Sequence, residues 1–151
     1  MSVGLLLECD ELVARQFLEP RGQLYFKYDC AIGLIRDGKL VGTVLLHGWN
    51  GSNLELSYSG ISTLSVGVMR ALARYMLAKF NLARLTVITR KRNRRLVKSI
   101  QKLGFRLEGA QRCYYGRVDC NRNTGVRFVA FRDQVEKVAK LPKQPEVKQC
   151  L

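Results

Sequence analysis

Five cysteines, one histidine and a dense run of cations are the residues of this chain whose types and spacing could do chemistry. The thiols are Cys9, Cys30, Cys113, Cys120 and Cys150. Their number is odd and no two stand at C-x-x-C spacing, which argues for reduced thiols in a cytoplasm and against a disulfide framework. His47 is the sole imidazole, which argues against a zinc site and removes any mechanism that needs a second histidine. It falls within an expected strand, where a lone histidine reads as structural. Cys113 has arginine neighbours that would lower a thiol's pKa, but it reads as a buried, inert thiol.

The cations are the stronger signal. The 151 residues carry 26 Lys and Arg against 12 Asp and Glu, a net charge of +14. Between Arg84 and Arg132 there are 14 basic residues and two acidic ones, Glu108 and Asp119, so this third of the chain supplies +12 of the total. A field of that size draws polyanions: nucleic acid, a phosphorylated cofactor or an acidic protein surface. The densest part, Arg90-Lys91-Arg92-Asn93-Arg94-Arg95, has five positive charges in six residues. Few aromatic residues accompany it (Trp49, Tyr114, Tyr115), so stacking on single-stranded bases has little support.

The elements that must position these residues follow from periodicity. The chain suits one domain with a real core, and its 47% hydrophobic share excludes full disorder. No run approaches the roughly 20 apolar residues that span a bilayer, and MSVGLLLECDELVAR lacks the basic start and cleavage site of a signal peptide, reading instead as a first strand and helix. Residues 10–18 have helical spacing, closed by Pro20 and Gly22. Strands are expected over 30–35, 40–46 and 54–58, joined at the turn signals Asp37-Gly38 and Asn50-Gly51. Leu64, Val68, Ala71, Leu72, Tyr75, Met76 and Phe80 then recur at helical spacing, with the N-cap types Ser62, Thr63 and Ser65 at the start. A strand over 84–89 and a helix over 92–103 come next, with Gly104 at the C′ position. Strands are expected over 105–115 and 126–132, and residues 133–151 read as a short helix and a flexible basic tail after a domain of residues 1–132. A helix between the third meander strand and the 84–89 strand implies a parallel crossover in a mixed α/β sheet.

That element order resembles the GCN5-related N-acetyltransferases (GNAT). The local match is Asn93 after the central strand, Leu103-Gly104-Phe105 ten residues on, then Glu108-Gly109 and Arg112, a pattern nearest the ribosomal-protein alanine acetyltransferase branch. The helix ending at Phe80 and the Asn81-Leu82-Ala83-Arg84 lead into the strand follow the same rhythm, so the resemblance covers residues 54–117. It implies a mostly antiparallel mixed sheet with helices on both faces, and acetyl-CoA or another acyl-CoA as cofactor, with no metal.

In that family the pyrophosphate rests on backbone N–H groups at the start of the long helix. By register this loop is Ser62, Thr63, Leu64, Ser65, Val66 and Gly67, of which only Gly67 could belong to the family's glycine-rich signature, and it is displaced. Arg92 and Asn93 lie near the adenosine end. The resemblance names Glu55 as candidate base, and Tyr58 and Ser99 as candidate acids. The tyrosine that commonly protonates the thiolate is Ile100 here, and Ser99 is one residue from the serine that the ribosomal branch uses. Tyr114 and Tyr115 are further hydroxyls, read as strand residues. The implied function is acyl transfer from acyl-CoA to an amine of a protein or small molecule in the cytoplasm. The alternatives are a catalytically degenerate GNAT-fold binding or structural protein, as in small tailed phages (acting then in the host cytoplasm), and a basic nucleic-acid-binding module. An acidic or polyanionic partner on the Arg84–Arg132 region accompanies any of them.

Overall fold

Turn chemistry sets the first half of the sheet. In the structure, a computed structural model that describes residues 3–13, 28–60, 65–140 and 149–150 (of 59, 60, 149 and 150 only the backbone), Asp37 and Gly38 have φ of 53° and 74°. Two consecutive positive φ values make the tight hairpin whose twist suits right-twisted strands, and they join β2 (Cys30–Arg36) to β3 (Lys39–His47). At the next turn Asn50 Oδ1 accepts from the backbone N–H of Ser52 (3.0 Å) and Asn53 (2.8 Å), and β4 (Asn53–Gly60) returns antiparallel to β3.

The period then changes. Helix α2 (Val66–Lys79) is capped by Ser65, whose side chain accepts from Val68 N at 3.2 Å. It delivers the chain to β5 (Arg84–Arg90), which runs parallel to β4, as the crossover requires. Helix α3 (Arg94–Lys102) and β6 (Arg106–Gln111) come next, then β7 (Gly125–Phe131), which inserts between β5 and β6 and is antiparallel to both. Helix α4 (Arg132–Ala139) ends the main fold. At the other edge, β1 (Gly4–Leu6) pairs antiparallel with β2 and parallel with β8 (Gln149–Cys150), and α1 (Asp10–Val13) is tied to β2 by Asp10 Oδ2, which accepts from Ala31 N at 3.1 Å. The order is β6-β7-β5-β4-β3-β2-β1-β8. This is the mixed, mostly antiparallel α/β sheet expected.

One face carries the large core, where Leu54, Leu56, Leu85, Val87 and Phe128 meet Leu72 and Met76 of α2, Ile100 of α3, and Val135 and Val138 of α4. The smaller core on the opposite face is Leu6, Val13, Ala31 and Leu45.

Several expected boundaries shift. Helix α3 starts at Arg94, because Asn93 is its cap: Asn93 Oδ1 accepts from Leu96 N at 3.3 Å, and Arg92 belongs to the preceding turn. Strand β6 stops at Gln111, since the chain turns at Arg112 and Cys113, where Cys113 has φ 57°. Tyr114 and Tyr115 therefore lie in a loop, not in a strand, and Cys113 is exposed, not buried. Val135, Val138 and Ala139 of α4 are part of the principal core, and two residues of the expected tail form the edge strand β8. Residues 14–18 of the first expected helix and residues 62–64 lie outside the described residues.

Gly104 closes α3 with φ +90°. Phe105 N donates to Ile100 O and Gly104 N to Gln101 O, the paired bonds of a Schellman cap. Gln134 of α4 adds a bond from Nε2 to Leu103 O at 2.6 Å, and a Cβ on residue 104 would run into that amide. Gly104→Ala is expected to lower the unfolding free energy by about 1–3 kcal/mol through left-handed strain alone, read as a lower urea midpoint with unchanged slope.

Candidate functional site

Strands β4 and β5 pair over four positions only, from Asn53↔Arg84 to Leu56↔Val87. Beyond them β4 stays on β3 as far as Gly60↔Gly42, and β5 stays on β7 as far as Arg90↔Gly125. Each strand keeps its outer neighbour and loses its inner one, so the sheet is parted along residues 57–60 and 88–90. A cavity of about 750 Å³ lies against this parting. Leu56, Leu85 and Val87 line it from the sheet, Val66, Met69, Leu72 and Met76 from α2, Leu96, Ile100 and Leu103 from α3, and Val135 and Val138 from α4. Helices α2 and α3 form opposite walls because each buries its apolar stripe on the same face of β5.

The polar groups of the cavity are few: Tyr58, Thr89, Arg90, Asn93, Ser99, Lys102 and Tyr115. The Arg90 guanidinium stacks over the Tyr115 ring, 4.3 Å from its centroid, and donates to Arg122 O at 3.0 Å. Tyr114 meets Tyr115 edge-on at 4.8 Å. Burial, with a smaller contribution from Tyr114 and opposition from Arg90, pushes the Tyr115 phenol up to about 12, so it stays a neutral donor at physiological pH. Ser99 Oγ donates to Arg95 O one turn back at 3.1 Å.

The sequence candidates are thus divided. Tyr58, Ser99, Val66 and Asn93 line the cavity. Ser65 and Gly67 stand at the start of α2 and Arg92 is exposed in the turn before α3, none of them in the lining. Ser62, Thr63 and Leu64 lie outside the described residues. Glu55 is on the other face of the sheet, because successive strand residues alternate and Leu54, Leu56 and Tyr58 take the cavity side.

On that opposite face the strand pairing sets His47 directly across from Glu55. His47 Nδ1 is 3.3 Å from Glu55 Oε2, and His47 Nε2 is 2.8 Å from Ser57 Oγ. The His47 side chain is 16% exposed and that of Glu55 28%. Burial lowers the His47 pKa below its ordinary 6.5, against the opposing pull of Glu55 and Asp29. Sequence reasoning passed over this cluster, treating His47 as structural and Ser57 not at all. The signal that could have found it was the Asn50–Asn53 turn, about which folding the two strands faces His47 to Glu55, with Ser57 two residues on along the same face.

The thiols do other work. Cys30 is buried 3.6 Å from the Tyr75 hydroxyl, and burial pushes its pKa up. Tyr75 donates to Glu8 Oε1 at 2.8 Å and Lys79 closes the set by donating to Tyr75, which ties the end of β1 to α2. Among the described residues there is no cluster of metal-ligating side chains, and no helix is long and apolar enough to cross a membrane. Of the fourteen basic residues from Arg84 to Arg132, only Arg84 (to Glu108), Arg112 (to Asp119) and Arg132 (to Glu136) have a carboxylate within salt-bridge reach among the described residues. The other eleven keep this part of the chain strongly positive, and two of them, Arg90 and Lys102, line the cavity.

No protein-family model and no curated protein matches the chain. Solved structures do match in fold. An IAA acetyltransferase from Bacillus cereus is similar at a TM-score of 0.66 and 15% identity, over 86% of this chain and 99% of its own. A spermidine N-acetyltransferase chimera of Vibrio cholerae and human sequences is similar at 0.65 and 15%, over 91% and 99%. Ribosomal-protein-S5-alanine acetyltransferase from Vibrio fischeri is similar at 0.59 and 17%, over 82% and 69%. The chain has the GCN5-related N-acetyltransferase fold.

His47 gives the site a pH signature. With the folded-state pKa below the unfolded value, the unfolded chain takes up the proton first as pH falls, so stability is lost from about the ordinary 6.5 downward. His47→Gln removes that component, and the urea midpoint of the variant is expected to fall less between pH 7 and pH 5 than that of the unaltered protein.

Proposed function

We propose that this protein is an N-acyltransferase that takes an acyl group from acyl-CoA, acetyl-CoA foremost, and passes it to an amine. The observation that carries the reading is the parting of the parallel strands β4 and β5 after Leu56 and Val87, with a cavity of about 750 Å³ against it. The similarity to acetyltransferases acting on spermidine and on a ribosomal protein supports it at the level of fold.

The residues present fit acyl-CoA. The cavity combines apolar side chains, which suit the methylenes of a pantetheine arm, with polar groups for its amides and for phosphate, among them Arg90, Asn93 and Lys102. Helix α2 has no acid in its first turn, and the N–H groups of Val66 and Gly67 precede the first intrahelical acceptor, so its N-terminus favours a phosphate. Arg92 extends the positive field. Ser62, Thr63, Leu64 and Ser65 complete the proposed phosphate loop in place of the family's glycines. When bound, acyl-CoA supplies an activated thioester carbonyl. Asn93 orients its adenosine side, and Tyr58 offers a hydroxyl proton to the departing thiolate, with Ser99 as a second hydroxyl nearby. Glu55, on the acceptor side of the sheet, belongs to the group that receives the amine proton. The nine of those eleven cations that do not line the cavity favour an acidic or polyanionic partner as carrier of that amine.

A second reading, a GNAT fold that binds without catalysis, draws on Ile100 at the position where the family commonly has its acid. Calorimetry with acetyl-CoA followed by an amine panel separates the two: binding with transfer supports the enzyme, and binding without transfer the second reading. Val66→Glu adds a carboxylate at the cavity side of the α2 N-terminus, where the helix itself gains from negative charge but a phosphate is repelled. Its expected effect is unchanged or raised thermal stability with acetyl-CoA affinity down about tenfold, or ~1.4 kcal/mol. An unchanged affinity would remove α2 from the phosphate site.

A further inference from the structure

We propose that Ser57, His47 and Glu55 form a proton relay on the acceptor face of the parted strands, with His47 as the base, Ser57 as its link to the amine and Glu55 as the group that orients the imidazole. This rests on the acyl-transfer reading above and deepens it. Ser57 is the first residue of β4 beyond the last position paired with β5, so its hydroxyl stands at the edge of the opening. The cavity lies on one face of the sheet there, and Glu55, Ser57 and His47 share the other.

Hydrogen-bond chemistry fixes the direction of the relay. A carboxylate only accepts, so the 3.3 Å contact to Glu55 holds the proton on His47 Nδ1. Nε2 is then a lone pair, and the 2.8 Å contact makes Ser57 the donor. A hydroxyl aimed at an imidazole that a carboxylate orients is the geometry that moves protons in acyl transfer. The charged groups bearing on His47 among the described residues are Glu55 on β4 and Asp29 just before β2, and burial keeps the imidazole neutral at pH 7. A lone Glu55 would have to meet the amine itself, but it is engaged by His47 and set back along the paired part of β4.

Atoms and protons balance in the transfer step. The amine nitrogen bonds to the thioester carbonyl carbon and the C–S bond breaks. One amine proton passes to Ser57 Oγ while the serine proton passes to His47 Nε2. The thiolate takes a proton from Tyr58, which recovers it from solvent, and the imidazolium returns its proton to solvent, so no net proton is consumed.

His47 is the only histidine, so its imidazole resonances in 15N-labelled protein are read without ambiguity and without any cofactor. The expected result is the Nδ1–H tautomer at neutral pH, a lower His47 pKa in Glu55→Gln, and a changed Nε2 resonance in Ser57→Ala. With an amine that the unaltered protein acylates, His47→Gln and Ser57→Ala are expected to lower kcat/KM by about 10²-fold or more at unchanged acetyl-CoA affinity, with Ser57→Thr retaining most of the rate. An Nε2–H tautomer overturns the relay. So does full turnover in folded His47→Gln, which leaves the acyltransferase reading standing. An acyl group trapped on Ser57 in mass spectra also overturns it, in favour of a covalent route. Absence of transfer by the unaltered protein on every amine overturns both.

Discussion

The limited parallel contact between β4 and β5 is the constraint on which the rest of this molecule depends. A parallel pair needs a crossover, and α2 supplies it on one face. The pair then separates after four positions, so beyond them neither strand has the other as its ladder partner. The separation is tolerated because each strand is secured on its outer edge, β4 by β3 and β5 by β7, through the full length of the parting.

The walls of the cavity are fixed by contacts at helix ends. Gln134 binds the last carbonyl of α3, Arg74 Nε donates to Ala139 O at the end of α4 at 2.9 Å, and Arg132 Nη1 donates to Leu82 O at 3.0 Å. Helix α4 is therefore pinned at both ends between α2 and α3, and its Val135 and Val138 close the apolar interior. Arg84 and Glu108 brace the far side. Glu108 sits at the register shift between β6 and β7, so its side chain reaches back to Arg84 Nη2 at 2.7 and 2.8 Å.

The two faces of the parted sheet differ in chemistry. One offers an apolar cavity with a rim of cations, the other a buried imidazole between a carboxylate and a hydroxyl.

Period and turn residues are local properties, so the sequence by itself determined the Asp37-Gly38 hairpin, the β4–α2–β5 crossover, the Gly104 cap and the concentration of charge around α3. The Ser65 cap of α2 belongs to the same group. The turn at Cys113 was not legible, because an unassisted positive φ at a cysteine has no sequence mark, and with it went the loop that brings Tyr115 to the cavity. Nor was the edge strand β8, whose pairing joins residues more than 140 positions apart in the chain. Tertiary structure alone decided that Glu55 and Tyr58, three residues apart on one strand, lie on opposite faces of the sheet, and that a solitary histidine has both nitrogens engaged by its neighbours. The physical reason is that a strand's alternation is readable locally, while the face that turns to a helix, a cavity or a neighbouring imidazole depends on which strands lie beside it.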